Sequence, residues 1–280
     1  RSWTSGAYFE KFRKFLFSHA CIEYIHLFES RNKVFDKESV LQETMIVKFK
    51  KNTRFPSCIT ISTSATNKDF SDLHKLDVPY QVVVSDNHYY VHLVTDEEEV
   101  KSLQSINHFK NTLVDLGLKM KTGLVVDFRS RELLRDSEDD STIPLIYSMH
   151  IKDGRVRFPQ GKEKEYIVKD RKGLMQENRN YLFVKRFTAK EERRRLQCGI
   201  YLKRYLSSFT YISSQNKVNF IDGLQGLSEC VVYGLYVIFN STLYDVYYRI
   251  LNGSTQVNST EINAMPVPDM SVIEAMGKQL

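Results

Sequence analysis

Beyond residue 57 the apolar residues come in short runs of strand length, each closed by turn-forming residues, and no other feature of the chain constrains its fold as much. SCITIST, PYQVVVS and HYYVHLVT alternate, separated by Asn-Lys-Asp and Asp-Asn turn signals. One amphipathic helix is expected over about 97–116, where Val100, Leu103, Ile106 and Leu113 recur and Gly117 is a stop. β-Like segments resume with TGLVVDFRSRELL, with IPLIYSMHIKDGRVRFP as a hairpin across Lys152-Asp153-Gly154, and with NYLFVKRFTAKEERRRL, reaching about 221. From 227 to 251 the period turns helical, broken near Asn240-Ser241 by a capped helix end. A Pro-containing turn, MPVPD, then leads to a last helix starting near Ser271.

The first fifty residues have a different character. Residues 5–17 place Tyr8, Phe12, Phe15 and Leu16 on one helical face, which is expected to be buried. CIEYIHLF (21–28) follows, then a polar loop, then VLQETMIVKFKK (40–51), whose Leu41, Met45, Ile46 and Val47 suit a strand buried on both sides. Helix–strand–loop–strand in this order is the end of an α/β sheet and not its start. With 280 residues the chain makes one large domain or two modest ones. No repeat or long linker divides it, and the expected class is α+β.

Several chemistries find no support. None of the twelve glycines makes a dinucleotide turn or a P-loop, and G-x-S-x-G, H-E-x-x-H and calcium-loop patterns are missing. Cys21, Cys58, Cys198 and Cys230 are far apart, so neither a zinc site nor a disulfide framework is suggested, and a reducing cytoplasm is the expected compartment. The longest apolar run, Cys230 to Phe239, is about half a membrane span. His88 and His92 share i, i+4 spacing, but on an expected strand they are too far apart to chelate a metal. Asp86, Glu99 and Lys101 imitate an acidic nuclease triplet, yet Thr95-Asp96-Glu97-Glu98 reads as a capped helix start.

Charge is unevenly spread. The whole chain carries +6, whereas Arg155–Arg195 alone holds 14 Lys/Arg against 6 Asp/Glu, leaving the remainder slightly acidic. Guanidinium groups there are interleaved with Phe158, Tyr166, Tyr181, Phe183 and Phe187. Arginine supplies bidentate donors to phosphates and base edges, and neighbouring rings pack or stack, so nucleic acid is the leading partner. Lys185, Arg186, Lys190, Arg193, Arg194 and Arg195 are the expected phosphate and groove contacts, with Arg129 and Arg131 beside a strand end as weaker ones. Gln256 and Asn258 read either as adenine-edge readers or as a buried amide network closing the domain.

Taken together, several stretches resemble one family, the gamma-class adenine-N6 DNA methyltransferases of type II restriction–modification systems, of the PstI/BsuBI and Eco57I types. RSWTSGAYFEKFRKFLF and IEYIHLFESRNKVFDKESVLQETMIVKFKK resemble the last helix and last two strands of the catalytic sheet. TGLVVDFR, IPLIYSMH, VKRFTAKEERRRL and NGSTQVNSTEINAMPVP resemble the target-recognition half. The ending of FNSTLYDVYYRILNGSTQVN is also similar to type I specificity subunits. On this resemblance residues 1–55 are the remnant of a Rossmann-like catalytic domain and 56–280 a DNA target-recognition domain.

What the resemblance implies is methyl transfer from S-adenosylmethionine to adenine N6 in a site on double-stranded DNA, with no metal, in a bacterial cytoplasm. Phe35 corresponds to the aromatic that stacks on the extruded adenine. The family's Asn-Pro-Pro-Tyr and glycine-rich cofactor loop are absent from this sequence, and the chain opens at Arg1. The expectation is therefore a C-terminal fragment that is inactive alone, with no catalytic or cofactor-binding residue of its own. A truncated sheet edge at 40–51 would favour self-association. The alternatives are a non-catalytic module like a type I specificity subunit, or part of a polypeptide that also carries a nuclease.

Overall fold

The computed structural model describes residues 2–30, 34, 43–51, 54–68, 70–71, 73–85 and 88–280. It is a mixed α+β chain with three mixed sheets, and it divides into two units. One contains residues 1–108 and 246–254; the other contains 109–245 and 255–280. The boundary expected near residue 55 falls inside the first unit.

In the first unit, α1 (Glu10–His19) leads into β1 (Cys21–Phe28), followed by β2 (Met45–Lys50), β3 (Cys58–Ser64) and β4 (His74–Pro79). The sheet order is β2-β1-β3-β4; β1 runs antiparallel to β2 and parallel to β3. Ile22 and Ile25 of β1 and Ile59 and Ile61 of β3 are buried at its centre. Two short helices follow, α2 (Tyr80–Val83) and α3 (Glu97–Asn107). Asp96 caps α3 by accepting from Glu99 N at 2.9 Å, while the Glu99 carboxylate reaches back to Thr95 N at 2.6 Å. That reciprocal cap is the expected helix start, and it occupies Glu99 structurally. Asp86 lies outside the described residues.

Three expectations for this unit are corrected. The aromatic face of α1 points outward: Tyr8 is 91% exposed, Phe15 66% and Phe12 47%. The buried positions are instead Arg13 and Phe17, one turn apart. The cause is the Arg13 guanidinium, which donates to the carbonyls of Trp3, Ser5, Gly6 and His88 at 2.8–3.0 Å and so demands the inward face. Likewise β2 is an edge strand, exposed along most of its length, and not a strand buried on both sides. Finally, PYQVVVS contributes the helical turn α2, and HYYVHLVT makes only an isolated bridge from Val91 to Val84. A short apolar run such as Val82–Val84 fits a helical turn as readily as a strand.

The second unit holds eleven strands: β5 (Leu118–Thr122), β6 (Leu134–Arg135), β7 (Thr142–Ile146), β8 (Ile151–Lys152), β9 (Arg155–Val156), β10 (Tyr166–Val168), β11 (Gln176–Glu177), β12 (Tyr181–Lys185), β13 (Cys198–Tyr201), β14 (Tyr211–Ser214) and β15 (Val218–Gly223). They form a five-stranded sheet, β11-β14-β7-β10-β6, and a six-stranded one, β5-β15-β12-β13-β9-β8. The two share a core in which Ile146 and Ile212 of the first meet Tyr181, Phe183, Val218 and Phe220 of the second. Leu182 and Val184 project to the opposite face by the two-residue period of a strand and are buried too.

Helices α4 (Glu229–Phe239) and α5 (Thr242–Leu251) are separated at Asn240-Ser241 as expected. The Ser241 hydroxyl accepts from Tyr244 N at 3.3 Å. The unit division runs within α5, at Val246. After α6 (Ser259–Ala264), α7 (Met270–Gln279) packs on α4. Gly234 and Gly277 make this possible, since a Cβ at either would run into the other helix's backbone. The expected helix over 97–116 is shorter, ending at Asn107.

Candidate nucleic-acid interface

The β8–β9 hairpin organises the polar surface of the second unit. Its turn residues Asp153 and Gly154 both have positive φ, at 51° and 74°, which is the two-residue turn that matches strand twist. Gly154 is required for a second reason, because a Cβ there would collide with the Tyr236 hydroxyl of α4. The hairpin thus lies close against α4, and a cleft of about 400 Å³ opens beside it. Lys152, Lys185, Arg194, Gln197 and Asn240 line it, with Asp153 as its one carboxylate. Three cations against one anion leave it net positive. Cys198 forms part of its floor, and burial pushes that thiol up to about 12, so it stays protonated and inert.

The cations are placed by backbone ties. Lys185 ends β12, and its N–H donates to Gln197 O at 2.9 Å. The turn before Arg193 is closed by Glu192, whose carboxylate accepts from Ala189 N at 2.6 Å and Gln197 Nε2 at 2.5 Å. Arg194 is half-buried and donates to Thr242 Oγ1 at 3.4 Å, while Arg193 is exposed.

The other basic residues are placed differently. Arg195 is fully buried; its Nε donates to Thr188 Oγ1 at 3.3 Å and its backbone N–H to Asp245 Oδ1 at 2.6 Å. A guanidinium with no exposed surface cannot meet a phosphate, so the contact expected of Arg195 is withdrawn. Arg186 is half-buried and donates to Asn216 O at 2.8 Å. With the Gln256 amide turned to satisfy both groups, its oxygen accepts from Arg186 Nη2 at 2.8 Å. Burial lowers the Arg186 pKa from its ordinary value. Lys190 is half-buried. Arg129 and Arg131 are exposed on two successive 3-10 turns, Arg129 lying over the Phe128 ring at 5.4 Å. Phe35 lies outside the described residues.

Gln256 and Asn258 serve the fold. Asn258 caps α6 by accepting from Thr260 N at 2.9 Å, and Asn219 Nδ2 donates to Val257 O at 2.9 Å. In this cleft, the cation that sequence reasoning missed is Lys152. Its hairpin was legible from Lys152-Asp153-Gly154, but only the fold brings that turn beside Lys185 and Arg194.

Among the described residues no group of three or more His, Cys, Asp or Glu is placed to hold a metal ion. His92 is buried and His88 half-buried beside Glu10, and they share no site. No described helix is long and apolar enough to cross a membrane.

No family model matches the chain. The type II methyltransferase M.BsuBI of Bacillus subtilis is 34% identical over 99% of this chain, which covers 56% of that protein. The type II methyltransferase M.PstI of Providencia stuartii is 33% identical over 100% of this chain and again 56% of its own length. A solved structure of the type IIL restriction–modification enzyme MmeI in complex with DNA aligns with 93% of this chain and 37% of its own, at 11% identity and a TM-score of 0.47. The resemblance to type II methyltransferases read from the sequence is met at that level: the chain is a homologue of M.BsuBI and M.PstI and spans about half the length of each.

Proposed function

We propose that this chain is the DNA-recognition part of a type II site-specific DNA methyltransferase, acting on adenine N6 with S-adenosylmethionine as methyl donor. The observation that carries this reading is the cleft of Lys152, Lys185 and Arg194, net positive and set beside a rigid hairpin. Phosphate contact needs such fixed cations, and positioning contacts supply most of the affinity for duplex DNA. Residues 56–280 are the proposed recognition segment and 1–55 the end of the catalytic sheet. The edge strand β2, with Ile46 and Phe49 exposed, supports the expected tendency to self-associate.

The cleft of Lys152, Lys185 and Arg194 does not fit the cofactor that the reading implies. S-adenosylmethionine carries a sulfonium cation, which the positive cleft would repel, and no glycine-rich loop accompanies it. No step of the transfer is therefore derived through this chain. Its part is to bind and orient the duplex, with Phe35 as one face for an extruded adenine. In a methylation-competent enzyme, Phe35→Ala is expected to lower turnover while leaving DNA affinity within a factor of a few; equal turnover would remove the assignment.

Selection from a random duplex pool tests the reading. One recurrent sequence should be enriched by the chain, and the Lys185→Ala/Arg194→Ala variant should lose that enrichment. Failure to enrich, or enrichment unchanged by the double substitution, would argue for a different function.

A further inference from the structure

A second cleft, of about 380 Å³, is formed by β9 and the segment after it, and no carboxylate lines it. Arg155, Arg157, Phe158, Gln160, Tyr201 and Tyr205 line it. The two clefts adjoin: Lys152 lines the first, and its ammonium donates to Gln160 Oε1 on the wall of the second at 2.9 Å.

Both aromatic walls are braced from behind. Phe158 meets the His150 ring at 5.2 Å and the Tyr166 ring at 5.3 Å, each edge to face. Tyr205 meets the Tyr201 ring at 6.2 Å, also edge to face. The 3-10 turn that carries Tyr205 is tied by the Arg204–Glu229 ion pair.

The loop after Phe158 is held from inside the unit. Glu165, buried, accepts from Gln160 N at 2.9 Å, from Gly161 N at 3.0 Å and from His150 Nε2 at 2.6 Å. His150 Nδ1 accepts from Tyr147 N at 2.9 Å, so the proton sits on Nε2 and the imidazole is neutral. The walls are therefore preformed, and Tyr205, which lines the cleft, stays 37% exposed.

We propose that this cleft takes one nucleobase lying outside the duplex stack, held against the Phe158 and Tyr205 rings with its flanking phosphates on Arg155 and Arg157. It rests on the DNA-binding reading above and adds to it a site for an unpaired base next to the phosphate-binding cleft. Among the described residues no ion pair holds Arg155, and Arg157 pairs with the exposed Asp153 at 3.0 Å. Such an exposed pair is weak and yields to a phosphate. An acidic peptide would use the two cations but has no need of two braced rings, whereas every base has a π-face to stack.

The test compares a short duplex with the same duplex carrying one unpaired adenine, both fluorescently labelled and titrated with the 280-residue chain. The unpaired base should bind tighter by at least about fivefold, the low end of one stacking contact. Tyr205→Ala should abolish this preference and Tyr205→Phe should keep it, since the ring and not the hydroxyl acts. Arg155→Ala should weaken both duplexes. Equal affinity for the two duplexes, or a preference that survives Tyr205→Ala, overturns the proposal while leaving duplex binding intact. Displacement of the bulged duplex by an acidic peptide as readily as by a single-stranded oligonucleotide also overturns it and gives the cleft to a protein. Binding of neither duplex overturns this proposal and the DNA-recognition reading together.

Discussion

Arg193, Arg194 and Arg195 are consecutive in sequence and occupy three environments: exposed, half-buried in a cleft wall, and fully buried. A run of cations states how much charge a segment carries but not which face each side chain takes. Arg195→Ala should therefore cost roughly 3 kcal/mol of stability, because it empties a buried site and strands polar groups. Arg193→Ala should change stability by less than about 0.5 kcal/mol while lowering DNA affinity and the salt slope by about one charge. Denaturant melts and DNA titrations of the two variants separate these effects. His92 gives a pH prediction at the same scale. Burial pulls its imidazole down to about 4 from an ordinary value near 6.5. The folded state holds it neutral, so its contribution is complete above about pH 6.5 and is lost as pH falls toward 4, where the unfolded chain takes the proton first. Over that window the loss approaches roughly 3 kcal/mol. His150 is shifted in the same direction, by burial that outweighs its bond to Glu165, and adds to it. A denaturation midpoint that does not fall on acidification, or falls equally in His92→Phe, would contradict this account.

Among elements, the β8–β9 hairpin and the α4–α5 break were legible because their signals are local. Lys152-Asp153-Gly154 specifies a positive-φ turn, and Asn240-Ser241 supplies a stop and a cap within two residues. α1 was legible as a helix but not in its orientation. Its period offers two faces, and the choice falls to Arg13, whose guanidinium finds four backbone carbonyls contributed by residues before and after it. Four such charge-assisted bonds outweigh the burial of three aromatic rings. PYQVVVS was misread for a related reason, since its four apolar residues satisfy either period and only contacts distant in sequence decide. The hairpin also makes a direct prediction. Gly154→Ala strains the backbone and pushes the turn off Tyr236, so it should cost about 1–3 kcal/mol and weaken DNA binding more than Asp153→Ala does. An unaltered DNA affinity in Gly154→Ala would show that hairpin placement does not shape the site. For β2, Ile46→Lys with Phe49→Lys should suppress concentration-dependent association in sedimentation experiments, because charges on an edge strand oppose strand pairing.

Across the whole molecule, the net +6 conceals a basic segment set against a slightly acidic remainder. That imbalance was the strongest functional signal in the sequence, yet its position was only partly legible. The structure takes Arg195 out of the surface, ties the half-buried Arg186 to Asn216, and adds Lys152 and Arg155, which a linear tally could not rank. The cations facing solvent or cleft around the hairpin include Lys152, Arg155, Arg157, Lys185, Arg193 and Arg194. If four or five of them neutralise phosphates, log K should fall with log salt at a slope of about −4. Raising salt from about 50 to 200 mM would then weaken binding by about two orders of magnitude. The Lys185→Ala/Arg194→Ala variant should lose about two units of that slope, whereas Arg129→Ala, on a different turn, tests whether the interface extends beyond the hairpin. A shallow slope in the unmodified chain would mean that binding is carried by uncharged contacts. The unequal charge would then serve solubility and not recognition.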